Sequence, residues 1–391
     1  MGVNLLLCIV SVSVFLGGSE TLARLWYSPQ KVNSDSFFEY DKEKVFRLKA
    51  NFHGPNWGST FTTNSHGFRG REIAIEKPEN TKRILIAGDS VAFGQGVNDD
   101  EVFPYYLEQQ LNEQFAGSGE NVRIEVINTA APGNSPYQEY HDVKRGLKFD
   151  PDIIVLQVTL NDIIHEQSQW TFLAMGMKES ESETTSINYV TGKKRLPQFD
   201  YLLRQHSALY LFLKDINARL RFKDLTGKHI AKKAASEENS DFMPLLTEPE
   251  SPAVREAWDY ALSWIQIMVA IAKEHDIPFV LFATPFGIQS GYYEEYAFPQ
   301  HKFKQFAEEE NIYFADFLAA MWQRLVDEQG GRNTINEIID EWVKNGSTLL
   351  QDLHAELFLD HVHFTPAGHK MAADILMPIV LEALNLKSMN E

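Results

Sequence analysis

Arg83-Ile84-Leu85-Ile86-Ala87-Gly88-Asp89-Ser90 is an apolar run that stops at a glycine and delivers an acid and a hydroxyl to its carboxyl end. Strands buried on both faces of a parallel sheet read this way, apolar throughout and bounded by turn residues. Similar runs recur at 122–128, 153–158, Pro278–Ala283 and 311–315. Helical patterns lie between them near Pro104–Phe115, 136–147, 253–274 and 300–309, and others follow at 317–328, 335–345 and Pro366–Leu384. This alternation predicts the α/β class, with a five-stranded, doubly wound parallel sheet packed as an αβα sandwich. Open sheets of this kind place their chemistry beyond the carboxyl ends of the strands. Ser90 falls there.

A serine hydroxyl is a weak nucleophile until an imidazole takes its proton. The imidazole in turn needs a carboxylate on its other nitrogen, to fix the tautomer and stabilise the cation. Asp360-His361-Val362-His363 supplies both groups three residues apart, just before Thr365-Pro366, a pair suited to the N-cap and first position of a helix. Two other apolar strands lead to further candidates. Val126–Asn128 runs on to Gly133, where a backbone N–H can approach a substrate closely. Ile153–Val158 runs on to Asn161, whose side-chain amide donates hydrogen bonds. Ser90, Gly133 and Asn161 together hold the parts of an oxyanion hole. Asp89 is read as ordering the nucleophile turn, without a chemical step of its own. Plainer readings stand beside these. Gly133 serves as a turn residue after Pro132, Asn161 caps the helix that follows, and His66 and His369 are surface or helix-packing residues. The His361-x-His363 pair with Asp360 also has metal-ligating chemistry, but no second cluster at ligand spacing accompanies it.

Gly88-Asp89-Ser90, Gly133, Asn161-Asp162 and Asp360-x-x-His363 occur in the order of the four sequence blocks of the SGNH/GDSL hydrolase superfamily, and the chain resembles its bacterial exported or membrane-anchored members. Thr63-Asn64-Ser65-His66-Gly67-Phe68-Arg69-Gly70 is similar to a lead-in found in such members. The resemblance spans roughly residues 60–165 and 275–385. It departs at Thr159, where the family usually has glycine, and at Val91, where its nickname has leucine. The resemblance implies a flavodoxin-like strand order 2-1-3-4-5, with the site at the switch point between strands 1 and 3. It implies catalytic Ser90, His363 and Asp360, an oxyanion hole of Ser90, Gly133 and Asn161, and no cofactor or metal. The expected activity is a serine esterase acting through an acyl-enzyme on a small-molecule or glycan O-acyl ester, O-acetyl included. An O-acyltransferase that moves the acyl group to or from a glycan, and a non-catalytic carbohydrate-binding protein, are the alternatives.

The chain has 391 residues and a formal charge of −18, which argues against nucleic acid and anionic bilayer surfaces as partners. Its single cysteine, Cys8, permits no intramolecular disulfide and lacks the setting of a lipoprotein site. Val3–Leu16 is almost wholly apolar. If the helix continues to Tyr27, residues 1–27 form a membrane anchor or signal segment, with Arg24 and Trp26-Tyr27 at the interface. The expected location is outside the cytoplasm, as a membrane-anchored, secreted or periplasmic protein. Residues 28–80 are read as an irregular lead-in and 81–391 as the hydrolase domain. Segment 165–253 breaks the alternation, with polar runs at Lys178–Thr185 and Lys232–Asp241. Between them Leu209, Phe212, Leu213, Ile216 and Leu220 recur at helical spacing, so this insertion is expected to cap the crevice.

Overall fold

The computed structural model describes residues 14–24, 37–41, 43–116, 122–163, 243–287, 296–328 and 349–386, with scattered residues between them. Two antiparallel hairpins precede the main sheet. β1 (Phe38–Asp41) pairs with β2 (Val45–Leu48), and β3 (His53–Asn56) pairs with β4 (Ser59–Thr62). The lead-in is therefore ordered over this stretch, contrary to the irregular segment expected at 28–80. Its four-residue strands include Gly54 and Pro55 and show no long alternation. Side-chain ties to the domain hold the second hairpin in place, and no periodicity reports such ties.

The main sheet is parallel and has the order β6-β5-β7-β8-β9. Its strands are β5 (Thr81–Ala87), β6 (Arg123–Asn128), β7 (Ile153–Val158), β8 (Phe279–Ala283) and β9 (Tyr313–Asp316). Numbered within the sheet, this is the expected order 2-1-3-4-5. Every residue of β7 and β8 is buried, as befits strands covered on both faces. The connecting helices are α1 (Ser90–Phe93), α2 (Phe103–Ala116), α3 (Pro136–Gly146), α4 (Leu160–Ile163), α5 (Pro252–Glu274) and α6 (Phe298–Glu310). Beyond β9 come α7 (Phe317–Glu328), α8 (Leu349–Leu357) and α9 (Pro366–Ala383). α2 and α9 pack together, as do α3 and α5, so two helical layers enclose the sheet.

Local chemistry fixes where two of these helices start. Before α3, the Ser135 N–H donates to the Gln138 side chain at 3.1 Å, the reciprocal half of a capping box, and Pro136 occupies the first turn. At α9, Thr365 accepts the Gly368 N–H at 3.1 Å, with Pro366 in the first turn. That helix entrance anchors the loop carrying Asp360 and His363.

Residues 14–24 form a helix, and Glu20 in it accepts hydrogen bonds from Ser207 Oγ at 2.8 Å and the Leu209 N–H at 3.1 Å. Among the described residues no helix is long and apolar enough to cross a membrane. Cys8, Trp26, Tyr27, Phe212, Ile216, Leu220, both polar runs and most of 335–345 lie outside the described residues.

Candidate active site

Ser90 begins α1 immediately beyond β5, where the chain turns sharply from strand to helix. Gly88 makes that turn possible. A Cβ there would lie 2.7 Å from Gln157 Oε1 and 2.9 Å from Ala92 Cβ. Asp89 caps the short helix by accepting the Val91 N–H at 2.8 Å, and its second oxygen accepts the Asn161 side-chain amide at 2.6 Å. Gln157 on β7 supports the turn from below, its Oε1 accepting the Ala92 N–H at 3.1 Å and the Asp89 N–H at 3.3 Å. Its Nε2 donates to Thr284 Oγ1 at 2.9 Å, so the Ser90 turn is tied to β7 and to the end of β8.

The second half of the site is a tight loop. One oxygen of Asp360 accepts the backbone N–H groups of Val362 and His363, each at 2.8 Å. The other lies 2.7 Å from His363 Nδ1. A single carboxylate thus closes the loop and orients the imidazole, which is the physical content of the three-residue spacing. The Leu359 N–H donates to the His363 carbonyl at 2.7 Å, and Phe364 stacks on Phe317 with centroids 4.4 Å apart. With Nδ1–H committed to Asp360, His363 Nε2 faces Ser90 Oγ as an acceptor at 2.8 Å. Ser90, 273 residues away in sequence, is 8% exposed.

Charge is distributed to suit this arrangement. Burial alone would raise the Asp360 carboxyl, but the charge and hydrogen bond of His363 hold it well below the usual carboxylate range. Burial would lower the His363 imidazole; the charge and hydrogen bond of Asp360, with the charge of Asp89, outweigh it and raise the net value. Under the turn lie three further buried carboxyls. Asp89 is pushed up by burial, Asp162 by burial and the charge of Asp89, and Glu139 by burial and the charges of Asp162, Asp89 and Asp142.

Both candidate donors lie at the same crevice. Gly133 occupies a left-handed position, φ +80°, in the loop after β6. That loop is stitched to the Ser90 turn, since the Ala131 N–H and the Asn134 amide donate to the Gly88 carbonyl at 3.4 and 3.0 Å. Asn161 sits in the first turn of α4, with its amide held by Asp89. Thr159 is buried at the end of β7 and donates its N–H to Asp162 at 2.6 Å.

His361 is partly buried with its ring against Phe286, centroids 5.6 Å apart, outside the Ser90–His363–Asp360 chain. His369 is fully buried in α9, where its Nδ1 accepts the Phe103 N–H at 3.3 Å, and is therefore helix-packing and not a surface residue. His66 is half-buried against the Ile73 carbonyl at 3.1 Å. Among the described residues no group of three or more His, Cys, Asp or Glu side chains is disposed to hold a metal ion.

Several residues at the site are not among those the sequence marks as site residues. Gln157 shows itself only as one amide in an otherwise apolar strand. Asp142 and Glu139 look like charges on a helix surface, yet they face inward, and Asp142 pairs with buried Lys44 at 2.5 Å. Arg69, within the lead-in block, donates to the carbonyls of Phe93 at 2.6 Å, Gly94 at 2.7 Å and Val97 at 2.8 Å. Trp57 places its ring edge-on to His363, centroids 5.3 Å apart.

A family model described as the GDSL-like lipase/acylhydrolase family matches residues 86–301, a span that holds Ser90, Gly133 and Asn161 and ends before Asp360. Among solved structures the chain is similar to an alpha/beta hydrolase from the metagenome of Lake Arreo, Spain, at 14% identity and TM-score 0.38, covering 78% of this chain and 97% of that one. It is similar to a catalytic mutant of an acetylxylan esterase from Geobacillus stearothermophilus at 16% identity and TM-score 0.36, covering 78% and 95%. A member of the lipolytic protein G-D-S-L family from Veillonella parvula aligns at 11% identity and TM-score 0.37, covering 76% and 97%. A search of curated protein sequences finds no match.

Proposed function

The chain belongs to the GDSL-like lipase/acylhydrolase family and is an ester-hydrolysing enzyme; on that premise we propose that Ser90 is its nucleophile, His363 its general base and Asp360 the carboxylate that orients the imidazole. The observation that carries this reading is the unbroken line from Ser90 Oγ through His363 to Asp360, with steps of 2.8 and 2.7 Å. His363 Nε2 takes the hydroxyl proton as Oγ attacks the acyl carbonyl. The negative charge on the carbonyl oxygen is met by the N–H groups of Ser90 and Gly133 and by the Asn161 amide, whose contact with Asp89 fixes its plane. Loss of one such donor costs about 3–4 kcal/mol of transition-state stabilisation. His363 then protonates the departing alcohol. Water, activated by the same imidazole, releases the acid from the acyl-enzyme.

The substrate class in this reading is an O-acyl ester, with water as acceptor. Attachment to a membrane from outside the cytoplasm is part of the same proposal, supported by exposed Val14, Phe15, Leu16 and Leu22 on the amino-terminal helix. The test is a panel of p-nitrophenyl acetate, butyrate and longer esters, with and without an acceptor sugar. Free acid is the expected product in both arms, and N161A should lower kcat about 100-fold or more. Acyl transfer to the sugar in preference to water would replace hydrolysis with the transferase reading.

A further inference from the structure

Trp57 and Gly58 form the two-residue turn between β3 and β4, where Asn56 pairs with Ser59. Both turn residues have positive φ, +48° and +99°. Two-residue hairpin turns of this kind favour Asn-Gly, because a short polar side chain tolerates the left-handed conformation. A bulky aromatic there is an outlier. The fold nevertheless holds it firmly. Asn56 is buried and its amide donates to the carbonyls of Gly94 and Val97, both at 2.9 Å. Thr62 donates its N–H to Asp99 at 2.9 Å, and Arg69 donates to the same carboxylate at 2.9 Å. The arm is thereby bolted to the loop that directly follows the nucleophile helix. At its tip Trp57 remains 53% exposed while its ring meets His363. Backbone conformations this unfavourable persist at ligand-contacting positions that their surroundings over-determine.

The side of the site that Trp57 occupies follows from the chemistry. As the Ser90 Oγ–acyl bond forms, the acyl–alkoxy bond breaks, and the proton held by His363 passes to the departing alkoxy oxygen. The alcohol must therefore lie against His363. The Gly133 and Asn161 donors belong to the loop after β6 and the helix α4 after β7, and they receive the carbonyl oxygen. A ring packed on His363 from the β3–β4 arm borders the alcohol. A half-exposed indole offers a flat apolar face, a match for the C–H face of a sugar ring. An alkyl chain would instead call for an enclosed apolar groove. Building on the serine-esterase reading above, we propose that Trp57 is the alcohol-side platform of the substrate site, on which the sugar ring of an O-acylated carbohydrate lies while its hydroxyl departs.

The test compares wild type, W57A and W57F on three acetates: an acetylated methyl xylopyranoside, cyclohexyl acetate and ethyl acetate. W57A should lower kcat/KM for the sugar ester at least ten-fold more than for ethyl acetate, chiefly through KM, and W57F should recover part of it. An equal loss on all three would make Trp57 a structural residue and overturn the proposal. A selective loss on cyclohexyl acetate would overturn the sugar assignment, and a loss that tracks acyl length in a series of ethyl esters would move Trp57 to the acyl side. Independently of turnover, methyl xylopyranoside should give a saturable change in the tryptophan fluorescence of the S90A protein that S90A/W57A lacks; no change in S90A contradicts the platform. Failure of the underlying reading looks different, because S90A would then hydrolyse ethyl acetate as wild type does.

Discussion

Asp360 bonds to its own loop and to His363, so one side chain sets both the shape of the loop and the electrostatics of the imidazole. In the proposed mechanism the free enzyme needs neutral His363 to accept the serine proton, so kcat/KM should rise with pH as the imidazole deprotonates. His363 is held above the ordinary imidazole value of about 6.5, so the midpoint of that rise should lie above about 6.5. D360N removes the charge that raises it. A pH–rate profile of D360N should show the rise shifted to lower pH and kcat reduced by roughly 10³–10⁴-fold; an unshifted rise would remove Asp360 from the mechanism. The neighbouring histidine separates two chemistries. H363A should abolish turnover, H361A should retain it, and exhaustive chelation should leave wild-type activity intact. Loss on chelation with recovery on added zinc would favour metal-assisted hydrolysis.

Elements whose residues all point to one state were readable in advance. β5 and β7 are apolar runs bounded by turns, and Thr365-Pro366 is a helix start with its chemistry on its face. The placement of Gly88 and Ser90 at the end of β5 and the contact across the Asp360–His363 spacing were legible, because steric and hydrogen-bonding demands fall on those residue types. The β3–β4 arm was not, because it is held by single side chains reaching across the fold. Asn56, Thr62 and Arg69 look like ordinary polar residues until their partners at 93–99 are known. Gln157 was hidden for the same reason. Asn56→Ala deletes two donors to buried carbonyls and should lower stability by about 1–3 kcal/mol. Hydrogen exchange should show the effect confined to 53–62 and 94–99, with β5 to β9 unchanged. Exchange that accelerates across the main sheet would mean the arm is part of the core. Arg69 bonds three carbonyls and a carboxylate through a planar fork that lysine cannot reproduce, so R69K should loosen the same region.

Across the molecule, the strand order brings the ends of β5 and β7 together, and the carboxyl-terminal loop closes over them with Asp360 and His363. This fold buries several ionisable groups at a cost to their charged forms, which makes its stability pH-dependent. His354 is deeply buried in α8, its ring stacked on Phe358 with centroids 4.5 Å apart, and burial pushes its imidazole down to about 4. Between about 4 and 6.5 the unfolded chain binds a proton at His354 that the folded chain refuses, so this residue's contribution falls as pH falls. Chemical denaturation of wild type and H354L at pH 7 and pH 4 isolates it. The variant should be less sensitive to acid by on the order of 3 kcal/mol, and equal acid sensitivity would show that the buried ring is not the group responsible. In the proposed mechanism one serine in the whole chain forms the acyl-enzyme, and intact-mass analysis after fluorophosphonate labelling reads this out. The expected result is one adduct per chain, mapped to Ser90 and absent from S90A, with thermal stability within about 1 kcal/mol of wild type. An S90A protein that still labels and still turns over esters would contradict it.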